Sequence, residues 1–129
     1  MKLMTAEIGK ALHEADAMVL ATGKTPDPIV VKYFNPMGAG TWHIASGTPM
    51  DDHGDPTTPD KALDWCLYGL CDLGFGADCT ELGYVMLSEL ENVGKYQILP
   101  IERDIHFEGL MSELLADLES QRARASVAR

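Results

Sequence analysis

Asp51-Asp52-His53-Gly54-Asp55 is the densest run of candidate metal ligands in the chain, with hard carboxylate oxygens grouped around an imidazole. A calcium loop of the EF-hand type, counted from Asp51, needs glycine at its sixth position and a bidentate glutamate at its twelfth. Pro56 and Ala62 stand there instead, so the run reads as a solvated acidic loop and no metal is expected. Cys66, Cys71 and Cys79 do not have zinc-knuckle spacing, and Cys66 and Cys71 would fall on opposite faces of one strand. Nucleophilic catalysis needs a serine or cysteine activated by a nearby base. The chain contains neither a G-x-S-x-G elbow nor a cysteine-protease surround. His13 lies on a helix flank, and His43 and His106 take the polar phase of alternating stretches, where packing accounts for them. Gly74, Gly76 and Gly83 lack the Lys-Ser/Thr and the strand-loop-helix order of a phosphate loop, so no nucleotide or other cofactor is expected.

What remains is a set suited to binding or proton transfer. Glu81, Glu89, Glu91, Glu102 and Asp104 gather around one strand and a short helix, with Arg103 placed to form an ion pair between Glu102 and Asp104. Tyr33, Trp42, Tyr68 and Tyr84 are amphipathic side chains that line a groove if they are not core. The candidate binding residues are Tyr33, Trp42, Glu81, Tyr84, Glu102 and Arg103. No catalytic residue is assigned.

The elements that must position these groups emerge from periodicity. Met4, Ile8, Leu12, Ala15 and Val19 repeat at three and four, giving a helix over 5–21 with Thr5 as N-cap, Gly23 as exit, and Pro26 and Pro28 barring its resumption. Residues 29–34 and 41–45 read as strands joined by the turn-forming Asn35–Gly40, a hairpin. Residues 65–71 and 82–87 are apolar on both parities, as in strands covered on both faces near the middle of a sheet. Ser88-Glu89-Leu90-Glu91 is a capping box that predicts a short helix. Residues 105–107 read as a last strand, and Leu110, Leu114, Leu115 and Leu118 as a terminal helix with Arg122 and Arg124 late in it. Residues 48–61 hold three prolines and are expected to form an irregular acidic loop, and residues 120–129 a frayed tail. The order α-β-β-β-β-α-β-α, with links too short for parallel crossovers, predicts an α+β fold: a mainly antiparallel sheet of about five strands with N-terminal, middle and C-terminal helices packed on it.

At 129 residues and 46% apolar content, one domain spanning 1–129 with one core is expected. An odd number of cysteines, three, argues for free thiols in a reducing compartment. No stretch reaches signal-peptide or membrane-span character, which places the expectation in the cytoplasm. The formal charge is −10, which disfavours direct contact with nucleic acid or an anionic membrane. Residues 51–119 carry sixteen acids against three bases, whereas residues 1–50 are balanced at four and four. A basic protein, including one that itself binds DNA, is the electrostatic complement. Oligomeric state is left open.

Four stretches carry a family resemblance: Val31-Lys32-Tyr33-Phe34-Asn35-Pro36 with Thr41-Trp42, Tyr68–Gly74, Glu81–Glu91, and Leu99–Phe107. Together they resemble the bacterial domain-of-unknown-function family 2958, from the first helix through residue 108. That resemblance implies no activity, cofactor or catalytic residue. It implies a small accessory protein of plasmids and integrating elements, where conjugation, plasmid maintenance and evasion of host defence are the usual tasks. The expected function is a non-catalytic protein acting by macromolecular interaction, with anti-restriction or anti-defence action as its specific form. The alternative is a small-ligand binder or enzyme using an aromatic and carboxylate groove on the sheet.

Overall fold

The computed structural model describes residues 2–128. Its first helix, α1, spans Ala6–Thr22. The Thr5 hydroxyl accepts the Ile8 amide at 3.2 Å, and Gly23 leaves the helix at φ 75° while its N–H returns to the Val19 carbonyl. This is the left-handed exit that glycine adopts without steric cost.

Five strands come next in the chain: β1 (Val31–Phe34), β2 (Thr41–Met50), β3 (Asp64–Asp72), β4 (Glu81–Met86) and β5 (Glu102–Arg103). They form one sheet in the order β4-β3-β2-β1-β5, and every adjacent pair is antiparallel. β1 to β4 are thus a meander. The chain then crosses through α2 (Leu87–Val93) to lay β5 beside β1 at the opposite edge, and α3 (Met111–Ala128) completes an α+β fold.

Both faces of the sheet are covered. Leu12 of α1 and Leu87 and Leu90 of α2 pack with Val31, Tyr33, Trp42, Ile44, Trp65 and Leu67 in the larger core. Met111 and Leu118 of α3 pack with Ala45 and Leu70 in the smaller one. Each fully buried large side chain in these layers contributes about 1.5–3 kcal/mol relative to exposure. Tyr33 is completely buried, and its hydroxyl donates to the Leu3 carbonyl at 2.6 Å, so the one polar atom it brings into the core is satisfied.

A bulge between Ile44 and Ser46 sets the phase of β2. Before it, Trp42 and Ile44 face the larger core; after it, Gly47 and Pro49 pair with Leu67 and Trp65 on that same side. Gly69 lies opposite Ile44, and a Cβ there would overlap the His43 carbonyl. Only glycine allows the strands to approach this closely.

Several segments differ from the sequence-based expectation. β2 runs on to Met50, so 48–50 is strand rather than loop. The acidic stretch beyond Met50 is ordered by its own side chains: the Asp51 carboxylate accepts the His53 and Asp55 amides, both at 2.9 Å, and closes the turn on itself. The short helix begins at Leu87, and Glu89 reaches back to the Met86 amide at 3.1 Å, so Met86 takes the N-cap position that the Ser88–Glu91 box assigns to Ser88. Ser88 is used differently: its N–H and hydroxyl both donate to Asp64, at 3.0 and 2.6 Å. The fifth strand is Glu102–Arg103 rather than 105–107, because the Asp104 amide bonds to the Lys32 carbonyl and the chain then turns away. α3 continues to Ala128, so the described part of the expected frayed tail is helical and the arginines fall before its last turn.

Candidate functional site

The register of the sheet places four of the six candidate residues in one transverse row: Arg103 opposite Tyr33, Tyr33 opposite Trp42, Trp42 opposite Cys71, and Cys71 opposite Glu81. The row crosses the whole sheet, so its charged ends are separated by roughly 19 Å at the usual spacing of about 4.8 Å per strand. Its middle is core. Burial pushes the Tyr33 hydroxyl far above its ordinary pKa, opposed by the nearby Arg103 charge, and no ligand can reach the ring. Glu102 belongs to the neighbouring row, opposite Phe34. Asp104 is ion-paired with Lys32 at 3.6 Å. The six residues therefore do not form one groove.

Trp42 and Tyr84 both border a hollow of 320 Å³ between β3, β4 and α2. Cys71, Val85, Leu90 and Val93 supply its apolar wall and Glu89 its charge, with Glu81 beside Cys71. Burial, reinforced by Glu81, raises the Cys71 thiol above its usual pKa. Burial raises Cys66 likewise, helped by Asp16 and then Asp64. Thiols held protonated in this way are poor nucleophiles.

The rim of that hollow is β4, and here the sequence reading needs correcting. Its apolar residues on both parities predict a strand covered on both sides, yet β4 is an edge, with Leu82 41% and Tyr84 74% exposed. Leu73 and Phe75, in the link from β3 to β4, are 53% and 76% exposed. These residues are not legible as surface because composition alone does not order strands across a sheet. On the face carrying α3, Tyr84 packs against Tyr68 with ring centroids 5.1 Å apart.

A second cleft, of 380 Å³, lies between the sheet and α3, with His43, Asp72, Thr80, Asp117 and Gln121 among its walls. Burial, followed by the Lys32 charge, holds the His43 pKa down at about 4, and Phe107 covers the ring at a centroid distance of 5.0 Å. The imidazole is neutral at physiological pH. The Thr80 hydroxyl, in the same cleft, donates to the Gly76 carbonyl at 3.1 Å. The polar phase of His43 between Trp42 and Ile44 is visible in the sequence; the helix that covers it is not.

Among the described residues, no group of three or more His, Cys, Asp or Glu side chains is arranged to hold a metal ion. No helix among them is long and apolar enough to cross a membrane.

The fold and these surfaces define a small α+β protein whose antiparallel sheet is clad by helices on both faces and left open along β4. The chain belongs to the family described as "Protein of unknown function (DUF2958)", whose model matches residues 3–125. That match extends the resemblance past residue 108 and through most of α3. No curated protein and no solved structure matches the chain.

Proposed function

We propose that this protein is a non-catalytic accessory protein that acts by binding a basic protein surface. The observation that carries the reading is the placement of charge: of the sixteen acids in 51–119 none is buried and eleven are exposed. The three lysines and arginines in that span cannot neutralise them, so a negative potential extends from this part of the molecule and favours a positively charged partner. Proteins whose own ligand is nucleic acid carry such surfaces. With the plasmid and integrating-element setting that the family resemblance implies, a host restriction or defence enzyme is the specific partner proposed. The first fifty residues are balanced at four acids and four bases, so the acids do not run the length of the chain as a full imitation of the DNA backbone would require.

The test is affinity capture from the native host beside a variant with Asp52, Asp55, Asp60 and Asp78 all replaced by Asn, together with a restriction assay in cells expressing each form. A partner retained by the parent at low salt, lost at high salt and lost by the variant supports the reading. Capture that is indifferent to both changes, with restriction unaltered, removes it.

A further inference from the structure

We infer that β4 takes up an extended segment of the partner as a sixth strand, and that this segment alternates apolar and basic residues. The inference rests on the basic-partner reading and specifies where and how contact is made. β4 pairs with β3 continuously from Glu81 to Met86, with no bulge, proline, lysine or arginine to blunt its outer side. It is the outermost strand, so half of its backbone donors and acceptors face outward and form a template for another strand. The opposite edge is protected differently: β5 is two residues long, too short to template pairing.

Side chains of an added strand alternate between the two faces of the sheet. On the α2 side they meet the 320 Å³ hollow walled by Trp42, Val85, Leu90 and Val93, which suits a valine or isoleucine. On the α3 side they meet Leu82 and the exposed Tyr84 ring, which packs at a tilt against Tyr68, a surface on which a lysine or arginine gains a cation–π contact. Glu81 and Glu89 stand exposed at either end of β4 on the α2 side. Asp16 and Asp27 border the clefts beside Tyr84 and Leu82 where the basic residues fall, so the edge favours positive charge over negative. Arg122, the base nearest the start of β4, is already engaged with the Ala77 and Thr80 carbonyls. A second copy of this chain is the less favourable occupant, since it brings the same Glu81 and a further −10 charge.

The experiment uses the full chain with a synthetic octapeptide of alternating valine and lysine, a valine–glutamate analogue, and a valine–lysine version N-methylated at alternate amides on the pairing edge. Fluorescence anisotropy reads affinity, and backbone hydrogen exchange reads residues 81–86. The expected result is binding of the valine–lysine peptide alone, with exchange across 81–86 slowed at least tenfold. Tyr84→Lys, at an exposed position, should weaken binding at least tenfold while lowering the unfolding temperature by no more than the few degrees expected from loss of the Tyr68 ring contact. Equal binding of the N-methylated peptide, or binding without protection of 81–86, overturns strand addition and leaves the basic-partner reading standing. Binding of neither charged peptide up to millimolar concentration overturns strand addition too, while the capture experiment separately decides the basic-partner reading. Protection of 81–86 without peptide, rising with protein concentration and accompanied by doubled mass in sedimentation, assigns the edge to a second copy and overturns the occupant inferred here.

Discussion

At Gly69 a Cβ would overlap the His43 carbonyl and crowd the Ile44 Cα, all of it backbone fixed by the bulge. Gly69→Ala should therefore destabilise the protein by about 3 kcal/mol, read as a lower urea midpoint at unchanged slope. Gly83→Ala serves as the control, because its Cβ would meet nothing within 4 Å, and alanine should shift the midpoint by less than about 1 kcal/mol. His43 makes a second prediction. Its pKa lies at about 4 in the folded state, below its ordinary value of about 6.5, so the unfolded chain binds more protons between those limits. The stability that neutral His43 provides is complete above about pH 6.5 and is lost as pH falls towards 4, by about 2 kcal/mol after discounting for solvent reaching the half-buried ring. His43→Asn should flatten the pH dependence of the unfolding free energy in that window; an unaltered slope would locate acid sensitivity elsewhere. Among the thiols, exposed Cys79 should be alkylated first at pH 7, ahead of Cys66 and Cys71, whose burial keeps them protonated.

At the level of elements, two helices take their N-terminal caps from distant parts of the chain. Asp64, at the start of β3, accepts from the Ser88 amide and hydroxyl and so fastens α2 to the sheet. Asp27, ahead of β1, accepts from the Ser112 amide at 2.8 Å and its hydroxyl at 2.6 Å, fastening α3 across 85 residues of sequence. Asp64→Ala and Asp27→Ala should each cost about 1–2 kcal/mol, and Asp27→Ala should speed hydrogen exchange in α3 more than in α1. Such caps explain what the sequence can and cannot disclose. α1, with its own Thr5 cap, Gly23 exit and clear periodicity, is legible within a residue at each end. The start of α2 is not, because Ser88 serves a partner 24 residues away instead of its own helix. The end of β2 is hidden because the bulge reverses the alternation at Ala45, and because Gly47 and Pro49 look like breakers. Pro49 is tolerated since β1 pairs only as far as Ile44 and leaves that side of β2 free of a strand ladder. The candidate site is half legible: Trp42 and Tyr84 do border one hollow, whereas the burial of Tyr33 and the edge position of β4 depend on strand order, which no local pattern encodes.

Over the whole molecule the charge asymmetry must act on folding as well as on association, and the two effects have opposite dependence on salt. With a formal charge of −10, compact packing brings like charges closer than in the unfolded chain, so self-repulsion opposes folding. Raising ionic strength from about 0.01 M to 0.15 M shortens the Debye length from about 30 Å to about 8 Å and screens most of that repulsion. The free protein should therefore unfold at a higher temperature in the saltier buffer, by a few degrees if the relief is about 1 kcal/mol. The lysine-containing peptide proposed for β4 should bind more weakly over the same range, since its attraction to Glu81 and Glu89 is screened equally. A fall in unfolding temperature with added salt would mean that partly exposed ion pairs such as Lys32–Asp104 outweigh the net repulsion. In that event the acids would be locally compensated, and the field on which basic-partner recognition depends would be too weak to direct it.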